Sequence, residues 1–235
     1  MNELLLLISV AVIFGSVLAA YRLFGNAGLY CMSAVTTVLA NIEVLILVDA
    51  FGLEQTLGNV LFASTFLITD ILSENTSSHA ARKAVYMGMG ISAFFVLVSQ
   101  SWMLYRPSEN DWVMPSIRVV FSSSVRTVVA SMLAYAVSQL ADVWLYHRWW
   151  DITTKRTGRR RARLWLRNNG STLISQVINT VLFTLGAFAG REGYDGKLLL
   201  DIMLSSYVVY IFTSLLDTPF VYWARRIHDR HPDNQ

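Results

Sequence analysis

The chain contains a single cysteine, Cys31, and few charged residues for its length. One thiol cannot form an intramolecular disulfide, and it cannot build a metal site from several thiolates. Charged residues make up 15% of the 235 residues, whereas 54% are hydrophobic, and the mean hydropathy is +0.45. This balance excludes an ordinary soluble domain with a polar surface and indicates an integral membrane protein.

Motifs of several enzyme classes are also missing from the sequence. It has no HExxH zinc motif, no GxSxG nucleophile elbow and no GxxxxGK[ST] phosphate loop. The sequence therefore predicts a protein that is not an enzyme, with no catalytic residue, no metal site and no cofactor. An ATP-driven pump would need its ATPase from another chain. The four histidines lie in connections, at a span end or in the tail: His79, His147, His228 and His231.

What the sequence does contain is a series of long apolar runs. A helix that crosses a hydrocarbon layer of ~30 Å needs about 20 mostly apolar residues. The third run is short, and the fifth is long enough to tilt, kink or project beyond the bilayer. We therefore predict an all-α polytopic membrane bundle of six to seven helices in one domain, 1–235. The predicted spans are 4–23, 28–51, 57–73, 84–105, 117–147, 171–190 and 198–223.

Basic residues concentrate on one side of this arrangement. Loops rich in Lys and Arg remain cytoplasmic, so the basic segment 148–170 predicts an external amino terminus and a cytoplasmic carboxyl terminus. We interpret this segment as a topology determinant attracted to anionic lipid, and we expect a lipid bilayer rather than nucleic acid as its partner. The basic residues on the predicted inner side are Arg22, Arg82, Lys83, Arg148, Lys155, Arg156, Arg159, Arg160, Arg161, Arg163, Arg167, Arg225, Arg226 and Arg230.

Polar residues inside the predicted spans are few and clustered. Burying an ionisable group in a bilayer costs at least ~2.5 to 3.5 kcal/mol on insertion scales. Three spans each carry two polar residues three or four positions apart, which places both on one helical face. Three such stripes facing one another would line a polar cavity, which favours a transport function. The pairs are Asp70 with Glu74, Gln139 with Asp142, and Gln176 with Asn179.

The same pairs have simpler interpretations. Asp70 and Glu74 can form ion pairs with Arg82 and Lys83 at the inner face of the membrane. The amides of the pair in the sixth span can join two helices by hydrogen bonds. These alternatives stay open at the level of the sequence.

Four further ionisable residues lie inside the predicted spans or near their ends. Asp49 and Asp201 lie near predicted span ends, where a carboxylate costs little. Asp217 precedes Pro219 by two residues and can either support a helix break or belong to a site. Arg126 lies well inside its span and requires a carboxylate partner or an anionic ligand.

Three segments carry a family resemblance. They are ITDILSE…AARKAV (68–85), VRTVVASMLAYAVSQLADVWLYHRW (125–149) and LWLRNNGSTLISQVINTVLFTLGAFAG (164–190), and ANIEV in the second span fits the same pattern. They resemble the queuosine precursor transporter family, also named the putative vitamin uptake transporter family, over roughly 40–223. Two departures stand out. Thr76 and Ser77 occupy positions where the family commonly has Tyr-Gly, and Asn179 stands where it commonly has Asp.

The resemblance implies an importer in the bacterial inner membrane for a queuosine precursor: 7-cyano- or 7-aminomethyl-7-deazaguanine, or queuine. It implies a fold similar to the substrate-binding subunits of vitamin importers, working without their ATPase module. Two alternatives remain: a substrate-binding subunit that needs a separate ATP-driven complex, and a non-transporting membrane scaffold. A symmetric homodimer is compatible with so small a transporter, and nothing in the chain selects it.

A deazaguanine ligand has donors and acceptors on its edges and a flat ring for stacking. We assign Asp142 and Glu43 to its donor edge, Arg126 and neutral amides to its acceptors, and Tyr135 or Trp144 to its ring. The predicted substrate-binding residues are Asn41, Glu43, Arg126, Tyr135, Gln139, Asp142, Gln176 and Asn179. The predicted gating or coupling residues are Asp70 and Glu74.

Overall fold

The computed structural model describes residues 1–121, 125–159 and 161–230. Within these ranges five helices are long and apolar enough to cross a membrane, which confirms the all-α polytopic bundle. The elements are α1 (Asn2–Glu43), β1 (Leu47–Ala50), β2 (Leu53–Thr56), α2 (Gly58–Asn75), α3 (Ser78–Trp102), α4 (Met114–Phe121), α5 (Val125–Thr157), α6 (Leu164–Phe188) and α7 (Gly196–Arg230).

The 42-residue helix α1 is a helical hairpin. Gly25 adopts φ 58° and ψ −141°, a positive-φ conformation that glycine tolerates best, and it separates two helical arms. The start of the first arm meets the chain that follows the second arm. Asn2 donates to the Asp49 carbonyl at 2.8 Å, and the Phe51 N–H donates to a Glu3 carboxylate oxygen at 3.4 Å. The two arms are therefore antiparallel, and α1 accounts for the first two predicted spans.

A β-hairpin follows α1, which the sequence did not predict. Strands β1 and β2 pair antiparallel, and Phe51 and Gly52 turn between them with positive φ. The second predicted span was expected to reach Phe51, whereas the helix ends at Glu43. The apolar run continues past the helix because Leu45, Ile46 and Leu47 remain hydrophobic, so hydropathy alone did not locate the end. We call this end of the bundle the hairpin end.

The opposite end of the bundle, here the basic end, contains the Gly25 reversal and the α2–α3 and α5–α6 connections, whereas α3 and α6 both end at the hairpin end. The Thr76 hydroxyl lies 3.1 Å from the Asn26 amide oxygen, and Arg161 forms an ion pair with Asp229 at 2.7 Å. Helices α5 and α6 both extend into the predicted basic loop 148–170, which leaves only 158–163 between them. Helix α5 stops at Thr157 because Gly158 takes a positive φ of 66°. Arg160 lies outside the described residues.

The fifth predicted span, 117–147, corresponds to two helices. Helix α4 ends at Phe121, residues 122–124 lie outside the described ranges, and α5 begins at Val125 and continues to Thr157. A hydropathy window finds the apolar part of a helix, but the backbone hydrogen bonds of α5 continue where its side chains become polar. The last two predicted spans, 171–190 and 198–223, correspond to α6 and α7, which begin earlier.

Helix α2 is the centre of the bundle. It packs against α1, α3, α5 and α7, and nearly all of its residues from Gly58 to Ser73 are buried. Its 18 residues match the short third span, which was predicted at 57–73. Because its neighbours surround it, α2 can carry polar side chains without presenting them to lipid.

The tight approach inside α1 gives a stability prediction. A Cβ atom at Gly28 would lie 2.3 Å from the Ala20 carbonyl oxygen, so Gly28→Ala forces the two arms apart. We expect the variant to lose about 1–3 kcal/mol of unfolding free energy, as overpacking typically costs. Thermal unfolding of the purified protein in detergent measures it. Gly15→Ala is the matched control, because its Cβ position has no described atom within 4 Å other than those of its chain neighbours and its own helix backbone. Equal melting temperatures for the two variants would contradict the hairpin geometry.

Candidate functional site

A central cavity of about 130 Å³ lies in the half of the bundle nearer the hairpin end. The end of the second arm of α1, the start of α2 and parts of α3, α5, α6 and α7 enclose it. Three aromatic side chains form one wall: the Phe62 ring is 5.9 Å from the Tyr135 ring and 6.1 Å from the Tyr210 ring, centroid to centroid. Its polar lining residues are Thr37, Asn41, Thr56, Asn59, Ser92, Ser131, Asn179, Thr180, Thr184 and Ser206.

Two polar atoms on this lining are buried without a hydrogen-bond partner among the described residues. They are the Nδ2 of Asn59 and the hydroxyl of Thr180. The Tyr135 hydroxyl lies within reach of the Thr37 and Ser33 hydroxyls. Asn59 uses its carbonyl oxygen to accept from Tyr210 at 3.1 Å, which leaves its amide donor available. Buried polar groups in folded proteins nearly always have a partner, so these atoms suit a polar ligand.

A second space, the outer cavity, continues from the central cavity toward the hairpin end. Its volume is about 390 Å³, and the two cavities share Asn41, Val44, Thr56, Ser131 and Phe183. An engineered cavity of about 150 Å³ accommodates benzene, so the central cavity alone suits a single small ring. Together the two cavities provide space for a flat ligand with two fused rings and a route for it from the hairpin end.

A layer of neutral hydrogen bonds closes the central cavity on its basic-end side. Gln139 of α5 donates its amide to the Thr65 hydroxyl at 2.5 Å and accepts from the Thr69 hydroxyl at 3.2 Å. All three side chains are buried. The amide of Gln139 is therefore committed to α2, which ties α5 to α2 at this level.

Two carboxyl groups face each other in the next layer. Asp70 of α2 and Asp142 of α5 are fully buried. Asp70 accepts from the Thr172 hydroxyl at 3.3 Å, and Asp142 accepts from the Ser175 hydroxyl at 2.9 Å. The two carboxyl groups lie within hydrogen-bond reach of each other, and the Ser171 and Thr172 hydroxyls lie within reach of Asp142. Among the described residues no Lys or Arg forms an ion pair with either group.

The central cavity, the Gln139 layer, the Asp70–Asp142 layer and an ion pair follow one another along the bundle, and we call this series the column. The ion pair closes the column at the basic end. Arg167 of α6 is 0% exposed and binds both carboxylate oxygens of Glu74, with its nearest nitrogen at 2.6 Å. The Tyr146 hydroxyl donates to the same carboxylate at 2.7 Å, and the guanidinium lies 4.3 Å from the centre of the Trp150 ring. Arg225 of α7 approaches Glu74 at 3.6 Å. Four helices therefore meet at this carboxylate or its guanidinium partner.

The structure brings eight of the ten predicted site residues into this column. Asn41, Tyr135 and Asn179 line the central cavity, whereas the side chains of the remaining five are buried on its basic-end side or beside it. Those five are Gln139, Asp142, Gln176, Asp70 and Glu74. The three polar stripes therefore converge. Glu74 contacts Arg167 and Arg225, not the Arg82 and Lys83 considered above as partners.

Two predicted site residues lie away from the cavities. Arg126 donates to the carbonyls of Gly186 at 2.7 Å and Ala189 at 2.5 Å, so it caps the carboxyl end of α6 instead of meeting a carboxylate. Glu43 is half-buried and lines neither cavity. Trp144, considered for stacking, is 65% exposed on the outer surface. Their assigned contacts with a ligand remain predictions that this arrangement does not support.

The sequence analysis did not predict the roles of some residues of the column. Arg167 was counted within a basic loop, although the apolar Leu164 and Leu166 before it indicated that the helix had begun. Asn168 of α6 donates to Asp217 of α7 at 2.7 Å, so Asp217 is a buried partner of α6. Asp49 and Asp201 are exposed, as expected for positions near span ends.

Comparison with known proteins agrees with this architecture. The model of the family described as putative vitamin uptake transporter matches residues 56–224, which is most of the chain. The chain belongs to this family. A probable queuosine precursor transporter of Bacillus subtilis (strain 168) is 35% identical over 90% of this chain and 89% of its own length. The queuosine precursor transporter of Escherichia coli (strain K12) is 26% identical over 72% of each chain.

As a member of the vitamin uptake transporter family, the protein is a multi-pass membrane transporter and not an enzyme. The matched region begins at Thr56 and ends at Ala224, so it contains the site residues of α2, α5 and α6, whereas Asn41 of α1 and Arg225 of α7 lie outside it. No solved structure gives a significant match, and the likeness to substrate-binding subunits of vitamin importers stays a prediction.

The buried ion pair gives the second stability prediction. Arg167→Ala leaves the Glu74 carboxylate buried with only the more distant Arg225, and such a loss typically costs about 3–5 kcal/mol. We expect a large fall in melting temperature in detergent. Arg161→Ala is the matched control, because its pair with Asp229 is exposed and worth at most about 1 kcal/mol. The double variant Glu74→Gln/Arg167→Gln should recover part of the loss. A melting temperature for Arg167→Ala equal to that of the control would contradict the structural role.

Proposed function

We propose that the protein imports a queuosine precursor through the bacterial inner membrane and binds it in the central cavity and the adjoining part of the outer cavity. The observation that carries the proposal is the set of buried, unpartnered polar atoms on an aromatic-walled cavity. A 7-deazaguanine has a flat ring for the aromatic wall and edge donors and acceptors for amides and hydroxyls. The names of the two relatives point to the same class of ligand.

The proposed path runs from the outer cavity through the central cavity toward the basic end. The layer of Gln139 and the ion pair of Glu74 with Arg167 block this path in the present conformation. Release at the basic end therefore requires these contacts to separate or to move with their helices. We therefore assign Glu74 and Arg167 to a gate that must open before the ligand is released at the basic end. The charge distribution predicts that the basic end faces the cytoplasm, so that ligand enters at the hairpin end.

The facing carboxyl groups of Asp70 and Asp142 suit the coupling of transport to protons. Like charges repel in a dry interior, and a shared proton removes that repulsion. Buried carboxyl groups of this kind carry protons in many transporters. Glu74 is already held by Arg167, so we assign the proton to Asp70 with Asp142 instead of to Glu74. A homodimer remains compatible with the exposed apolar faces and is not needed by this mechanism.

The uptake prediction uses bacteria that cannot make the precursor. Cells expressing the protein and supplied with the precursor at low concentration should gain queuosine in tRNA, in contrast to cells with empty vector. Phe62→Ala removes part of the aromatic wall, and uptake should fall about tenfold because one stacking contact is worth about 1–3 kcal/mol. Leu133→Ala, on the exposed face of α5, should leave uptake unchanged.

Three results of the uptake experiment would count against the proposal or redirect it. Absence of queuosine with the protein present in the membrane contradicts the function. Equal uptake by Phe62→Ala and the unaltered protein contradicts the placement of the ligand. Uptake that appears only when an ATPase is co-expressed supports instead a substrate-binding subunit of an energising complex.

The coupling prediction concerns Asp70. In proteoliposomes with an imposed pH gradient, the unaltered protein should accumulate precursor against its concentration gradient. Asp70→Asn keeps the shape of the side chain but cannot release a proton, so accumulation should fall to the equilibrium level while ligand binding remains. Asp201→Asn is the matched control, since Asp201 is exposed on α7. Full accumulation by Asp70→Asn, or accumulation that ignores the gradient, would refute proton coupling through this residue.

A further inference from the structure

Helix α3 carries a basic hollow on its outer face at the basic end of the bundle. The hollow is open, and its volume is about 440 Å³. Its lining residues are His79, Arg82, Lys83, Tyr86 and Met87. These positions recur at intervals of three or four residues, so they share one face of the helix. The opposite face packs into the bundle through small side chains such as Ala81 and Ala84.

The two adjacent cations of this hollow are left without a carboxylate. Arg82 and Lys83 are both exposed, and in the described part of the chain neither forms an ion pair. Glu74, which the sequence offered as a partner, is held by Arg167. The Lys83 Nζ lies 5.2 Å from the centre of the Tyr30 ring on the second arm of α1. This contact positions the ammonium group but does not neutralise it.

The start of α3 adds to this positive charge. The helix begins at Ser78, directly after the Ser77 cap, so the positive end of its dipole lies beside the hollow. His79 stands in the first turn, next to the two cations. An anion in the hollow would therefore meet two full positive charges and the positive end of a helix.

Toward the hairpin end the same face of α3 becomes apolar. Tyr86, Gly90, Phe94 and Leu97 follow one another at intervals of four, four and three residues, and all four are exposed. A Cβ atom at Gly90 would have no described atom within 4 Å beyond its chain neighbours and its own helix backbone, so this stripe is open beside Gly90. The basic residues lie where the predicted span 84–105 begins, at the level of the headgroups, and the apolar stripe continues into the hydrocarbon layer.

We propose that this face of α3 binds one anionic phospholipid. Arg82 and Lys83 hold the headgroup phosphate, and an acyl chain lies along the stripe from Tyr86 to Leu97. A zwitterionic lipid would bring an ammonium group toward the two cations, whereas a lipid with net negative charge brings none, and basic side chains near the membrane surface attract such lipids. The site takes an individual lipid, beyond the general attraction of the basic segment 148–170 to the membrane, and it does not depend on the transported ligand.

The test measures lipid binding to the purified full chain in a neutral detergent by native mass spectrometry. Phosphatidylglycerol and phosphatidylcholine with the same acyl chains are titrated separately. We expect the apparent Kd for phosphatidylglycerol to be lower by at least about tenfold, because two cations act on its net charge. Equal affinity for the two lipids overturns the proposal. Excess glycerol 3-phosphate should leave phosphatidylglycerol bound, and its displacement would assign the hollow to a soluble phosphate instead of a lipid.

A charge-removing variant locates the site. Arg82→Gln/Lys83→Gln should weaken phosphatidylglycerol binding at least about tenfold and leave phosphatidylcholine binding nearly unchanged. The ratio of the two affinities is measured in one preparation, so it does not depend on how much of the variant folds. Arg82→Lys/Lys83→Arg keeps both charges and should keep the preference.

The matched control removes two charges elsewhere at the same end. Lys155 and Arg156 are also adjacent and exposed, in the last turn of α5. Lys155→Gln/Arg156→Gln should retain the preference for phosphatidylglycerol. An equal loss of preference in the two glutamine variants would show a diffuse attraction to the whole basic end and overturn the site on α3. An unchanged preference in Arg82→Gln/Lys83→Gln would overturn it as well.

Discussion

The burial of Arg167 is the constraint on which the basic-end half of the structure depends. A guanidinium with no exposed surface is tolerable only where a carboxylate and further acceptors surround it, and Glu74, the Ala162 carbonyl and the Trp150 ring meet this need. Glu74 comes from α2, Trp150 and Tyr146 from α5, and Arg167 from α6. The contacts that neutralise this one charge therefore fix the register of the three helices. The same register aligns the Asp70–Asp142 layer and the Gln139 layer.

Helix α5 shows how one register serves several purposes. Tyr135, Gln139, Asp142 and Tyr146 follow one another at intervals of four, three and four residues, so they occupy one face. On that face Tyr135 lines the cavity and the Gln139 amide bonds to α2. Further along it, Asp142 supplies a carboxyl group and the Tyr146 phenol donates to Glu74. The opposite face carries exposed apolar residues such as Leu133. The helix separates a polar interior from an apolar exterior without any charged residue on the outer face near its centre.

The sequence was sufficient to predict which helix faces point into the bundle, but it did not predict which residues contact one another across helices. Spacing of three or four residues correctly joined Asp70 to Glu74 and Gln139 to Asp142, because helical geometry is local. The partners of Arg126 are two backbone carbonyls 60 and 63 residues further along the chain. Only the tertiary structure shows that the carboxyl end of α6 lies beside Arg126. Arg167 was missed because the basic run 159–163 precedes it, which made the start of the helix resemble the end of a loop. The Glu43 spacing from Asn41, in contrast, already contained the information that the two side chains diverge.

The reversal at Gly25 has a mechanical consequence. Gly25 has the non-helical backbone angles inside Asn2–Glu43, so a single residue and no longer loop joins the two arms of α1. The second arm carries Asn41 on the cavity wall, and the first arm holds the β-hairpin through Asn2 and Glu3. The cavity wall formed by the second arm is thus linked to the first arm through Gly25, and the first arm is linked to the β-hairpin through Asn2 and Glu3.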